Sequence, residues 1–202
     1  MQLTSLIDKL NSHHGEFLCE SFSGEKKKIS FYHLTKKSLT VPQLPDCGRL
    51  TDFYDTFGSI LFYLDPESGD AARYIAPIHE WEILHNKISR WFVMDEEERE
   101  EILPGWIDTA LVLGNIPGTG NFILMPTEGS TRGHIYEFDH DGFEFFDEAP
   151  DLVTYAERLL RLDLPMLANF ASHMRFITET PDQQWIIRGM SDNRSKVLHL
   201  ES

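Results

Sequence analysis

Acidic side chains are concentrated in one stretch of the chain, between residues 137 and 151. The stretch contains no lysine or arginine, and its seven carboxylates are Glu137, Asp139, Asp141, Glu144, Asp147, Glu148 and Asp151. Carboxylates in proteins bind cations, transfer protons or attract a basic protein surface. The pattern around these acids indicates which of the three chemistries applies.

A calcium site is the first hypothesis, because Asp139-His140-Asp141-Gly142 begins like an EF-hand loop. Such a loop needs glycine at its sixth position and a bidentate glutamate at its twelfth. Gly142 does not occupy the sixth position, and the twelfth is Pro150. A tight hairpin turn, in which Asp and Gly supply left-handed backbone conformations, explains the tetrapeptide instead. We therefore predict no metal site.

Acid–base catalysis is the second hypothesis. Catalytic carboxylates need burial or confinement to separate their pKa values, whereas acids on an exposed hairpin stay solvated and ionised. The chain has no Gly-x-Ser-x-Gly motif, no complete phosphate-binding loop and no dinucleotide fingerprint. Its nine histidines show no zinc-type spacing. The sequence thus predicts neither catalytic residues nor a cofactor.

Two strands that meet in a tight turn must position the acids. They are predicted at residues 133–138 and 143–146, and an amphipathic helix follows from about Asp151. Strand alternation places Glu137 on one face and Phe138 on the other, so only part of the acidic set can face one partner. The expected structure is a rigid, negatively charged surface feature.

The rest of the chain predicts a mixture of helices and strands. Helices are predicted near residues 3–10, 48–57, 78–92, 151–162 and 165–176. Further strands are predicted near residues 17–22, 29–34, 59–64, 73–76, 110–113, 122–125 and 184–188. The charged run at residues 95–101 is typical of a solvated helical turn or a loop.

The strands cluster at the centre and are joined by short turns. We therefore expect an α+β fold with a single, largely antiparallel sheet and helices packed mainly on one face. One domain is predicted over residues 1–180, followed by a C-terminal extension over residues 181–202.

The whole chain is acidic, with 33 Asp and Glu against 18 Lys and Arg and a formal net charge of −15. Such a charge repels nucleic acid and anionic membranes and attracts basic proteins. Acidity can also serve solubility alone, so the local cluster is the more specific observation. The sequence shows no secretory signal and no apolar run near the roughly 20 residues of a membrane helix. We expect a cytoplasmic protein with two free thiols, Cys19 and Cys47.

Four segments, in order, resemble the SUKH superfamily, which is named for fungal cell-wall-synthesis regulators and related bacterial proteins. They are Leu44-Pro45 with the helix and Gly58-Ser59 turn that follow, residues 78–92 with Trp81, the 115–120 turn with the strand at 122–125, and residues 133–141 with the next helix. The resemblance spans about residues 44–160. The charged segment at residues 95–106 and the chain after Asp163 depart from it.

The resemblance implies an α+β binding module without catalytic residues. Many bacterial members are immunity proteins, which neutralise secreted toxins, often nucleases, by binding them, whereas fungal members act as regulatory scaffolds. Nuclease surfaces are basic because they hold phosphates, and an acidic inhibitor is steered toward them.

We therefore expect a non-catalytic immunity protein that binds a basic toxin domain and neither nucleic acid nor membrane. Its partner-binding residues are predicted to be Glu137, Asp139, Asp141, Glu144, Asp147 and Glu148. A regulatory scaffold for an endogenous protein is the alternative. An enzyme that uses Asp139, Asp141 and Glu144 is the third hypothesis.

Overall fold

One antiparallel sheet organises the protein, which a computed structural model describes over residues 3–37, 41–177 and 183–201. The strands of this described part are β1 Gly15–Ser21, β2 Lys26–Lys36, β3 Ser59–Leu64, β4 Arg73–Ile75, β5 Ala110–Asn115, β6 Phe122–Pro126, β7 Ile135–Asp139, β8 Glu144–Ala149, β9 Phe176–Ile177, β10 Gln184–Asp192 and β11 Val197–His199. Its α-helices are α1 Leu3–Ser12, α2 Leu50–Thr56, α3 Trp81–Ile88, α4 Glu96–Ile102, α5 Leu152–Leu159 and α6 Leu164–His173.

The strands lie in the order β11-β10-β1-β2-β3-β4-β5-β6-β7-β8, and β9 pairs with β10. Strand β2 joins two halves of the sheet, because its first part pairs with β1 up to Phe31 and its second part pairs with β3 from Tyr32. Strand β8 ends the order and forms one edge. The prediction of an α+β fold with a single antiparallel sheet is confirmed.

The predicted C-terminal extension contributes strands to this sheet. Strand β10 lies between β11 and β1 and pairs with β1 from Asp192 to Trp185. The predicted strand near residues 184–188 is therefore confirmed and continues to Asp192. Residues 178–182, where the predicted domain ends and the extension begins, lie outside the described residues.

Most helices pack on one face of the sheet, as predicted. Helices α1, α2, α5 and α6 contribute to one core that includes Leu10, Phe53, Leu152 and Phe170. Helix α3 packs through Leu84 into a second cluster on the opposite face. No helix among the described residues has the length and apolar character that crossing a bilayer requires. Cys19 and Cys47 are both free.

Aspartates begin three of the helices. The side chains of Asp151 and Asp163 accept hydrogen bonds from backbone N–H groups in the first turns of α5 and α6, at 2.8 and 3.1 Å. Asp95 does the same for α4, accepting from the Glu98 N–H at 2.9 Å. These caps satisfy donors that have no partner within the helix, and their charge complements the helix dipole. The charged run after Asp95 is therefore a helix.

A pair of histidines is buried beside the start of β1. The Tyr63 N–H donates to His33 Nδ1 at 3.3 Å, so His33 carries its proton on Nε2 and donates it to His13 Nδ1 at 2.9 Å. His13 Nε2 in turn lies 3.1 Å from Asp192 Oδ2. Burial and the nearby Arg194 lower the pKa of His13 to about 4, and burial and His13 lower the pKa of His33 well below its usual value. Both imidazoles are therefore neutral at pH 7.

We expect the free energy of unfolding to fall by roughly 1–3 kcal/mol between pH 7 and pH 5. The pKa of each histidine is lower in the folded chain than its unfolded value of about 6.5, so the unfolded chain binds more protons below that pH. The stabilisation is complete above about pH 6.5 and is lost as the pH falls toward about 4. Urea denaturation at both pH values measures the change.

The control for this pH dependence is the exposed His79, whose replacement in H79Q should leave it unchanged. The H13Q/H33Q variant removes both buried titrations and should depend less steeply on pH. His173, whose pKa burial also lowers to about 4, retains part of the dependence. If the unfolding free energy of H13Q/H33Q fell with pH as steeply as that of the wild type, the two histidines would not be the cause of the pH dependence.

Candidate functional site

Strands β7 and β8 form the predicted acidic hairpin at the edge of the sheet. They pair Glu137 with Phe146 and Asp139 with Glu144. The left-handed residue of their turn is Phe143, with φ 54°, and not Gly142 as the turn pattern predicts. The strain of about 1–3 kcal/mol is offset by packing, because the Phe143 ring lies 5.3 Å from the Phe138 ring.

Strand alternation divides the hairpin between two cores, as predicted. Tyr136 and Phe138 belong to the cluster under α3, whereas Ile135 belongs to the core under α5 and α6. Glu137 shares the face of Ile135, and Phe146 lies opposite it on β8. The acids of the hairpin therefore do not form one continuous surface.

Glu137 is a correction to the predicted partner-binding set, because only 7% of the residue is exposed. Its two carboxylate oxygens accept from Nε and Nη2 of Arg73, each at 2.8 Å, and the Tyr155 hydroxyl donates to Oε1 at 2.5 Å. Arg73 is 1% exposed and also donates to Asn169 Oδ1 at 2.7 Å. Glu137 therefore links β4, β7, α5 and α6 and is not accessible to a protein partner.

The Arg73–Glu137 pair holds its charges despite burial. Burial alone would raise the pKa of Glu137, but the Arg73 guanidinium and the Tyr155 hydroxyl outweigh it and keep that pKa below its usual range. Glu137 in turn raises the pKa of Arg73, and burial and Glu137 raise the pKa of Tyr155. A carboxylate with a lowered pKa is a poor proton acceptor, so this geometry favours a structural role over acid–base chemistry.

Asp147 and Glu148 lie along β8 and already have partners. Asp147 Oδ2 accepts from His134 Nδ1 at 2.9 Å and from the Tyr136 hydroxyl at 3.2 Å. Glu148 is half-buried and lies 2.5 Å from Arg158, a residue of α5. The contacts of the exposed Asp147 contribute little to stability and can be exchanged at small cost, whereas Arg158 holds the half-buried Glu148.

The remaining predicted acids form a group at the end of the hairpin, which we call the acidic tip: Asp139, Asp141 and Glu144. Asp141 and Glu144 are exposed, and Asp139 is half-buried. Beside them Trp91 is 40% exposed, and its ring lies 4.5 Å from that of His140. An exposed tryptophan is a common anchor of protein-binding surfaces, where a few aromatic side chains supply much of the affinity.

Asp139, His140 and Asp141 also place three ligand atoms within 4.8 Å of one another. Turn hydrogen bonds account for this grouping, since Asp139 accepts the Asp141 N–H at 3.2 Å and Asn121 Oδ1 accepts from His140 Nδ1 at 2.6 Å. Three ligands from an exposed turn also fall well short of the six to eight oxygens that calcium takes. We assign no metal to this turn.

Two open cavities adjoin the buried pair, and both are lined in part by Glu137 and Asn169. The tip cavity, of about 240 Å³, lies toward the acidic tip and is also lined by Asp139, Asp141, Phe146, Ser172 and His173. The helix cavity, of about 600 Å³, is also lined by Arg73, Glu148, Arg158, Arg161, Asp163 and Met166. The tip cavity is therefore lined by acids, whereas the helix cavity is lined by both acidic and basic side chains.

Sequence patterns missed the partner of Glu137 and the role of Trp91. Arg73 is the one charged residue in the run from Ala71 to Ala76, and Glu137 is the one charged residue between Ile135 and Phe138. A lone charge within an apolar strand indicates a buried position that needs an opposite charge. Both segments carry such a lone charge, but only the fold shows that Arg73 and Glu137 pair with each other.

Comparison of the chain with known protein families, with curated proteins and with solved structures finds no match. The likeness to the SUKH superfamily stays a prediction from sequence. The case for a function therefore depends on the geometry of the hairpin and its neighbours.

Replacing Glu137 with glutamine should lower the free energy of unfolding by about 3–5 kcal/mol, because Arg73 remains charged and buried. The double variant R73M/E137L removes both charges and should recover part of the loss. Urea denaturation at pH 7 measures the free energy of unfolding of the wild type, E137Q and R73M/E137L. The exposed Glu144 is the control, since E144Q should change stability by less than about 0.5 kcal/mol. A fully stable E137Q would contradict the structural role.

Proposed function

We propose that this protein is a non-catalytic binding module that neutralises a basic toxin domain, such as a nuclease, by direct contact. The observation that carries the proposal is the acidic tip, which presents three carboxylates beside the exposed Trp91. In this proposal the carboxylates take the place of the phosphates that a basic nuclease surface binds. The tryptophan supplies apolar contact area at the centre of the interface.

The tip carboxylates are close enough to act together. Ligand atoms of Asp139 and Asp141 lie within 4.8 Å, and Glu144 faces Asp139 across the strand pair. These separations are shorter than the Debye length of about 8 Å at physiological salt, so the fields of the three groups add. The net charge of −15 extends the attraction at longer range.

The aromatic residues that flank the turn support rigid presentation of the tip. The Phe92 ring lies 5.4 Å from Phe138 and 6.1 Å from Phe143, and Phe138 lies 4.9 Å from Phe145. This aromatic packing joins the hairpin to the segment after α3 that also carries Trp91. A preorganised surface loses little conformational entropy on binding, which favours high affinity.

Two features favour binding over the enzyme hypothesis. The most deeply buried carboxylate of the acidic stretch, Glu137, is ion-paired and has a lowered pKa. Of the tip carboxylates, Asp141 and Glu144 are exposed, and they lack the burial or confinement that catalytic acids need. Both properties argue against acid–base catalysis, and the exposed acids remain available to a charged partner.

The direct test is co-expression of this protein with a toxin domain encoded beside its gene. Wild-type protein should restore growth of cells that express the toxin. A neighbouring gene that encodes an endogenous cell-wall protein, with which this chain forms a complex, would favour the regulatory-scaffold alternative.

Charge reversal of the tip, in D139K/D141K/E144K, should reduce the association rate with that toxin domain by roughly 10–10³-fold. The measurement is surface plasmon resonance on the catalytically inactivated toxin at low and physiological salt. The control E97K/E100K/E101K reverses three exposed acids on α4 and makes the same change in net charge. Both variants should unfold at nearly the wild-type temperature. If both variants lost the same factor in association rate, net charge alone would explain the effect, and the tip would have no specific role.

A further inference from the structure

Strand β8 has an open backbone edge. It ends the order of the sheet, and β7 is its one partner strand in the described part of the chain. In an antiparallel pair, alternate residues direct their N–H and C=O groups away from the partner strand. Residues 144–147 therefore offer hydrogen bonds to an added strand, whereas the Glu148 carbonyl already accepts one from Arg158 Nη1 at 2.6 Å.

The acidic side chains along this edge favour the addition of a basic strand over an acidic one. Glu144 and Asp147 are exposed, and Glu148 is half-buried. A second copy of β8 would place carboxylates against carboxylates, which is destabilising. A segment with Lys or Arg at alternate positions would instead form opposite-charge pairs across the new ladder.

The tip cavity lies beside this edge and suits a cationic side chain. Phe146 is 46% exposed and forms part of its wall, together with Asp139 and Asp141. Burial lowers the pKa of His173, a further wall residue, to about 4, so this imidazole is neutral at pH 7 and does not repel a cation. An ammonium or guanidinium group here would meet carboxylates and an aromatic ring.

We propose that the basic partner binds through an extended segment that pairs with β8 as an additional strand and places a Lys or Arg side chain in the tip cavity. The inference rests on the proposed function, since the segment belongs to the same basic partner. Backbone pairing with β8 supplies affinity, and the acidic edge and the cavity supply specificity.

Synthetic peptides test strand addition without knowledge of the toxin. The probe is a peptide of alternating Lys and Thr of about six residues, the length of β8. A second peptide keeps the same side chains but is methylated at every backbone nitrogen, and a third carries Glu in place of Lys. Chemical-shift changes and slowed hydrogen exchange of the wild-type amides report where each peptide binds.

We expect the Lys–Thr peptide to shift the amides of residues 144–149 and to slow their exchange. The methylated peptide should bind about tenfold more weakly or worse, because it cannot donate to β8. The Glu peptide should not bind. Equal affinity of the methylated peptide, or shifts confined to other elements, would overturn the proposal. Shifts of the β8 amides that depend on protein concentration without peptide would also overturn it, because they would show that β8 pairs with a second copy of the chain.

Variants test the cavity. Phe146→Ala should weaken the Lys–Thr peptide by about three- to tenfold, as expected for loss of a cation–π contact. The control is Phe22→Ala, because Phe22 is 77% exposed on the turn after β1. Unchanged affinity in F146A would remove the cavity from the proposal.

The two proposals fail in different ways. Toxin binding that needs the acidic tip, without peptide pairing at β8, would leave the proposed function intact and contradict strand addition. Peptide pairing at β8, with a toxin interaction that tolerates the tip variant, would contradict the proposed function.

Discussion

The buried contact between Arg73 and Glu137 holds the acidic hairpin at the edge of the sheet in place. Removing two charges from water costs several kcal/mol each, and the two parallel hydrogen bonds at 2.8 Å, with the Tyr155 hydroxyl, offset that cost. The contact joins strands β4 and β7, which are separated by β5 and β6 in the sheet, and adds one residue from each of α5 and α6. The acidic hairpin is therefore anchored through its own first strand.

The carboxylates of the hairpin differ in burial because β7 leaves the core toward its end. Glu137 faces the helices and stabilises the fold, and the acids two and four residues further along reach solvent as the strand leaves the core. A carboxylate therefore stabilises the fold at Glu137, whereas the carboxylates further along the hairpin are available to a partner. The burial of each carboxylate, and not its residue type, distinguishes the structural acid from the acids that reach solvent.

Periodicity and turn residues predicted the α+β class, the single antiparallel sheet and the acidic hairpin, because these follow from local patterns. Three features were beyond that reach. The pairing of Glu137 with Arg73 joins residues 64 positions apart, and local composition does not identify the partner. The left-handed conformation of Phe143 depends on aromatic packing that outweighs its backbone preference. Trp91 joins the tip through a contact with His140 that only the folded chain creates.

The placement of β10 has a consequence for how the chain reaches its native state. Strand β1 lies near the start of the sequence, yet its outer neighbour is β10, and His13 bonds Asp192 across 179 positions. Contacts of such separation form late, since the entropy of closing a long loop must be overcome first. A nascent chain therefore holds β1 with β2 alone on one side until synthesis reaches residue 192. During that interval the outer edge of β1 is a surface that chaperones can protect and that aggregation can exploit.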